Sequence, residues 1–177
     1  MWRSRKHKSW AKLILDERIY YACCVIAGGK EEFFLWFSGE PDGVLLSGEF
    51  VLTFRDFNAL AEYCTQADLQ LADEATSRYD IDAIDAWICT PHDAEFDVDM
   101  LLNAWNMMDD FYQSLRGESA IADKDLDLHE KLSLSNFATS LPGVIVSEDF
   151  EPNWTDSDRS RLAIILADAL AIFKAAL

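Results

Sequence analysis

The chain has 177 residues, half of them apolar or aromatic, and a formal net charge of −17, with 15 Lys and Arg set against 32 Asp and Glu. Charge of that sign repels nucleic acid, anionic lipid and other acidic proteins and speeds encounter with a basic partner, so binding of DNA, RNA or a membrane surface is not expected. No run approaches the ~20 uncharged apolar residues that span a bilayer, and Met1-Trp2-Arg3-Ser4-Arg5 leads into no apolar signal core, which makes the cytoplasm the expected location.

Residues 1–18 gather six of the fifteen basic residues (Arg3, Arg5, Lys6, Lys8, Lys12, Arg18) against Asp16 and Glu17, so that end is +4 and the remainder carries −17 − 4 = −21. Lys12–Leu15 could form an edge strand, or residues 1–10 could fold back onto acidic surface. Tyr20–Gly28 and Glu32–Phe37 are apolar, β-branched and aromatic runs joined by Gly28-Gly29-Lys30-Glu31, a hairpin signal in which glycine supplies positive φ. Both runs are apolar at nearly every position, which predicts that both faces of that part of the sheet are covered. Glu49–Phe54 then predicts a third strand, and short connections favour an antiparallel meander.

Arg55–Gln66 changes period: Phe57, Leu60, Ala61 and Cys64 fall at i, i+3, i+4 and i+7, with Asp56 placed to cap a helix packed on the sheet. Asp68–Leu71 reads as a short returning strand. Ala72–Glu95 fits neither period well and is expected to be irregular apart from one helical turn at Ile81–Trp87. The clearest element follows, because Val98, Leu101, Leu102, Trp105, Met108, Tyr112 and Leu115 trace one face at helical spacing, with Asp97 to cap it and Gly117 to end it. Asp97 and Asp99 suit the dipole of that helix, whereas Asp109 and Asp110 lie too far along to gain from it. Asp125–Ala138 fits both a helical and an alternating pattern and is expected as a helix. Pro142-Gly143 breaks the chain, and Thr155-Asp156-Ser157-Asp158 opens a final helix, Asp156–Ala176, with Leu162, Ile165, Leu166, Ala169, Ile172 and Phe173 on one face. With no repeat, linker or low-complexity tract, the expectation is one α+β domain over 1–177, an antiparallel sheet in the N-terminal half covered by helices and a mainly helical C-terminal half.

Signatures of chemistry are missing. Cys23, Cys24, Cys64 and Cys89 have no C-x-x-C spacing, and a reducing compartment favours free, mostly buried thiols over a disulfide or metal framework. His7, His92 and His129 stand apart from one another and from any cysteine and read as solvated. There is no G-x-S-x-G, G-x-x-x-x-G-K-[ST] or G-x-G-x-x-G. Asp93, Glu95, Asp97 and Asp99 alternate like calcium ligands, but an EF-hand loop beginning at Asp93 would need glycine and glutamate where Val98 and Ala104 stand. A pair such as Asp80 and Asp82 resembles the acid and base of a glycosidase only as far as chance supplies pairs in so acidic a chain. No enzyme activity, metal or other cofactor is therefore expected.

Charge is concentrated instead. Asp68–Asp110 holds twelve carboxylates against one basic residue, Arg78, with Tyr79, Trp87, Phe96 and Phe111 within or beside it. Acidic surface also simply keeps proteins soluble, and Trp87 and Phe96 stand among apolar residues that suit a core as well as an interface. Carboxylates with aromatic anchors nevertheless make a surface that can imitate a phosphate backbone and occupy the cleft of a basic nuclease. The interface expected on this basis takes charge from Asp80, Asp82, Asp85, Asp93 and Glu95, with Tyr79 and Trp87 as anchors.

Arg18–Ile26 (RIYYACCVI), Phe33–Phe37 (FFLWF), Gly48–Phe54 (GEFVLTF) and Leu101–Asn106 (LLNAWN) together resemble, over about Arg18–Leu115, immunity proteins of bacterial toxin systems, in particular those of contact-dependent growth inhibition (CdiI-type) and related polymorphic toxins. The Leu-Leu-Asn-x-Trp-Asn box is the most specific part. The resemblance implies a cytoplasmic, non-enzymatic monomer that binds its cognate toxin one to one. That partner is the C-terminal domain of a large secreted effector, often a basic nuclease, here expected to be an RNase of the EndoU-like, tRNA-cleaving kind. Val98 stands where the family often has a cysteine, so subfamily and toxin are not fixed by the match. The shared boxes are largely apolar and report architecture, while Asn103 and Asn106 are expected as hydrogen bonders beside Trp105. Two other readings compete: an acidic adaptor for a basic housekeeping protein, and an enzyme whose site gathers His92, Asp97 and Tyr112.

Overall fold

A computed structural model describes residues 18–119, 125–140 and 153–177. Strands β1 (Ile19–Ala27) and β2 (Lys30–Ser38) form the expected antiparallel hairpin in the register Tyr20↔Phe37, Cys23↔Phe34 and Ala27↔Lys30. Gly28 and Gly29 turn it with φ of 59° and 70°, a region where a side chain meets its own backbone. Beyond β2 lie β3 (Gly43–Val44) and, at the other end of the strand, β6 (Thr53–Phe54), both antiparallel to it. The expected third strand is thus divided. Its first part, β5 (Phe50–Val51), pairs with β4 (Leu46–Ser47) in a separate small hairpin, and only β6 joins the main sheet.

Helix α1 (Phe57–Ala67) carries the chain across one face of the sheet, with the Asp56 carboxylate accepting from the amide of Ala59 at 2.8 Å as its N-cap. The chain then returns as β7 (Gln70–Leu71) and β8 (Ser77–Asp80), both parallel to β1 along its free side. The sheet is therefore mixed at that edge rather than a pure meander, since a connection through a helix brings the chain back in the same direction. Helix α2 (Ile81–Cys89) follows β8 without a gap, so the stretch expected to be irregular holds a strand and a helix of nine residues. Helix α3 (Val98–Arg116) runs between the expected caps, Asp97 and Gly117. Helices α4 (Leu126–Ser140) and α5 (Asp156–Ala176) complete the described chain. The start of α5 is a capping box in which Thr155 and Asp158 exchange side-chain to backbone hydrogen bonds.

Alternation along β1 and β2 divides the core in two. Tyr20, Ala22, Leu35 and Phe37 face Leu60 and Cys64 of α1, while Cys23, Val25 and Phe34 face the opposite layer of α2, α3 and α5. Both faces are covered, as the uninterrupted apolar runs predict. In the larger layer Phe173 of α5 meets Phe34 and Phe111 edge to face, with ring centroids at 6.3 and 5.1 Å. Helix α3 buries Leu101, Ala104, Trp105, Met107, Met108 and Phe111. This arc is wider than the single stripe read from periodicity, because α3 touches the sheet, α2, α4 and α5. Gly43 lets α3 approach β3: a Cβ there would stand 2.3 Å from Ser114 Oγ, which accepts from the amide of Val44. The positions proposed for an N-terminal edge strand or a folded-back segment, and the break at Pro142-Gly143, lie outside the described residues.

Candidate partner-binding surface

The seven residues expected at the interface lie along β8, α2 and the loop that follows, and the structure gives them three different kinds of work. Asp80 ends β8 and caps α2, its carboxylate accepting from the amide of Ala83 at 2.9 Å. Asp82, in the first turn of α2, accepts from the amides of Gly28 and Gly29, each at 2.9 Å, and so ties the helix to the tip of the β1–β2 hairpin. Those two amides hold its carboxyl below the usual carboxylate range, since they stabilise only the ionised form. Asp85 pairs with Lys174 in the last turn of α5.

Asp93 and Glu95 are different. Both are exposed on the loop between α2 and α3. That loop is held from beneath by Arg159 of α5, which donates to the carbonyls of Pro91 at 2.9 Å and Ala94 at 3.3 Å and lies over the ring of Phe96. His92 reaches Ser160 Oγ at 3.2 Å and Asp156 at 3.5 Å. The loop is thus fixed in shape while its carboxylates point outward. Lys174 marks one group and Arg159 the other, fifteen residues apart on α5, which at 1.5 Å per residue is about 22 Å. The five carboxylates therefore divide into three engaged within the fold and two exposed on the loop.

The expected anchors need correction. Trp87 is 3% exposed and packs edge to face on Phe96 within the larger core, so no partner can reach its ring. Tyr79 is half-buried against Phe34 and Cys23, and burial raises its hydroxyl well above the ordinary tyrosine range. The residue types suited an interface, but the apolar side of α2 turns Trp87 inward, and Tyr79 of β8 packs on Phe34 of the sheet.

Asp110, which gains nothing from the helix dipole, is half-buried against the sheet and accepts from the indole N–H of Trp36 at 2.7 Å. Burial, with Asp42 and Asp109 nearby, pushes its carboxyl up to about 6. Cys23, Cys24 and Cys64 are buried free thiols, and burial pushes Cys23 up to about 12, out of reach as a nucleophile; Cys89 is exposed. Asn106 and His129 meet at 2.9 Å beside Trp105, in line with a role in fold-specific bonding. His92, Asp97 and Tyr112 do not converge: Asp97 caps the start of α3, whereas Tyr112 sits fifteen residues along it, about 22 Å away, and His92, on the α2–α3 loop, contacts Asp156 and Ser160 of α5. Among the described residues no three His, Cys, Asp or Glu side chains are grouped to hold a metal ion, and no helix is long and apolar enough to cross a membrane.

One feature escaped the sequence reading. A groove of about 710 Å3 runs between α3 and α5, with Trp105, Met108 and Tyr112 on one wall and Ile164, Ile165 and Ala169 on the other. Its signal is the composition of α5, which is apolar around most of its circumference and so has more apolar side chains than one core can cover. No family model matches the chain, and no curated protein or solved structure shows a significant match to it.

Proposed function

We propose that this chain is an immunity-type inhibitor that binds a basic toxin domain one to one and blocks it without performing a reaction of its own. The observation that carries the reading is the state of charge around α2. Across Asp68–Asp110 the only basic residue is Arg78, and its guanidinium is paired with Glu31 outside the stretch, with Asp80 a weaker electrostatic neighbour. Asp93 and Glu95 remain exposed on a pinned loop, where a cationic partner meets fixed negative charge and needs little reordering. A nuclease presents cations where it holds phosphates, and a rigid carboxylate array competes for them. A nuclease toxin is the partner that this chemistry suits, and the choice of an EndoU-like RNase within that class follows from the resemblance to immunity proteins rather than from the charges.

The test is capture of the partner from source cells, followed by titration of its nuclease activity with the purified chain. The reading predicts one dominant basic partner whose RNA cleavage stops at equimolar inhibitor. An acidic or neutral partner, or a basic partner whose activity is unchanged at saturation, overturns it.

A further inference from the structure

The groove between α3 and α5, about 710 Å3, is a concavity that the acidic loop does not explain. Ile164 and Ile172, two turns apart on one side of α5, are 64% and 38% exposed. At the far end Phe50, on the β4–β5 hairpin, is 59% exposed beside Ile172 and Ala175. From Ile164 to Ala175 this strip on one side of α5 spans eleven residues, about 17 Å or three helical turns, and is apolar except at Asp168, which stands between the two isoleucines. Aliphatic side chains left in water over that length are a cost unless something covers them.

The charges around the strip state what that cover is. Among the described residues Asp109, Glu118, Asp125 and Asp168 line the groove with Arg161, which is held by Asp125 at 2.8 Å and by Asp127 at 3.1 Å, while Glu49 and Arg116 stand at the Phe50 end. Glu118 and Asp168 are exposed. An apolar surface with carboxylates set among and around its side chains complements a segment that carries both an apolar stripe and lysine or arginine. Two packed helices present ridges at helical spacing, so the third element that seats between them is a helix.

We infer that the α3–α5 groove is a docking site for a basic amphipathic helix of about three turns belonging to the partner protein. The inference deepens the reading given above and rests on it in one respect, that the occupant comes from a separate basic protein. It gives that protein a second foothold, apolar in its centre, on a different surface from the Asp93–Glu95 loop. A buried apolar contact slows dissociation, whereas exposed charge speeds association, so the two surfaces govern different halves of the kinetics.

The probe is a fluorescent synthetic helix of leucine and lysine with all leucines on one face, followed by anisotropy and by methyl NMR of the full chain. The control peptide has the same composition with the leucines scattered. The patterned helix is expected to bind saturably, to shift the methyl signals of Ile164, Ile165 and Ile172, and to exceed the scattered peptide by about tenfold. Ile164→Glu with Ile172→Glu removes that advantage. Both positions are exposed, so circular dichroism of the double variant should match the parent. Asp168→Asn with Glu118→Gln weakens the patterned helix several-fold while circular dichroism stays the same. Equal binding of the two peptides, or shifts confined to the α2 side, overturns the inference. So does a dimer of the parent chain that the isoleucine variants dissolve, because the occupant is then a second copy. A nuclease partner that the double isoleucine variant inhibits as tightly as the parent refutes the groove and leaves the proposed function standing. Peptide docking without any inhibited partner does the reverse.

Discussion

The two ends of α2 carry similar charge and use it in opposite ways. At the first end Asp80, Asp82 and Asp85 are committed to the fold, as a helix cap, a clamp on the hairpin tip and an ion pair with α5. At the second, Asp93 and Glu95 stand on a loop whose shape is held by Arg159 through backbone carbonyls, leaving the carboxylates outward. Acidic residues close in sequence are therefore not equivalent as binding residues. A charge already hydrogen-bonded within the chain must give up that bond, or share it, before it can serve a partner.

The contrast can be broken most severely through the residue that separates the two ends. Trp87→Ala opens a cavity beneath α2 and should cost about 3–5 kcal/mol, read as a fall in the urea midpoint. A loss below about 1 kcal/mol would mean that the ring is not the core element its burial indicates. Asp110→Asn sharpens the same distinction between structural and displayed carboxylates. Its pKa of about 6 lies above the ordinary 3.8, so the folded chain binds that proton more tightly than the unfolded chain. The resulting stability is fully present below about pH 3.8 and is lost as pH rises through about 6. The amide keeps an acceptor for Trp36, cannot ionise, and no longer meets Asp42 and Asp109 as a like charge. The variant should be more stable than the parent at pH 7 by about 1 kcal/mol, allowing for screening at a half-exposed group, and the gap should close near pH 4. A gap of equal size at both pH values contradicts the assignment.

Asp82→Asn has a smaller and more local effect. The depressed pKa of Asp82 means that its contribution is present above about pH 3.8 and fades as pH falls through the folded value. Replacing one carboxylate oxygen by an amide group leaves one of the two glycine amides without its acceptor. Hydrogen exchange at Gly28 and Gly29 should quicken several-fold at neutral pH with the rest of the sheet unchanged. Equal exchange in parent and variant would show that the clamp is not formed in solution.

Much of this architecture is written locally in the chain. Asp56, Asp97 and Thr155 cap helices that begin where those residues stand, because a cap is a contact over three residues and needs no tertiary context. The hairpin and its two covered faces follow from unbroken apolar runs around Gly28-Gly29. The run from Ala72 to Glu95 was harder to read, since Asp80 both ends a strand and caps a helix, and α2 is too short for its period to stand out. The α+β class was legible. The candidate surface was legible in composition and not in arrangement: Asp82 meets residues 53 and 54 positions away, and Asp85 meets one 89 positions away. No local pattern states such pairings. The groove was hidden for a related reason, since periodicity cannot tell which of the many apolar residues of α5 the core will leave uncovered.

The most direct test is the association rate of the captured basic partner with the parent chain and with the Asp93→Lys, Glu95→Lys double variant, at low and at physiological salt. Both positions are exposed, so the variant should fold with stability within about 0.5 kcal/mol of the parent. If the acidic loop steers the partner, the variant associates markedly more slowly at low salt and the gap narrows as salt rises. Equal rates for the two proteins at every salt concentration would contradict the claim that this surface is what the partner meets.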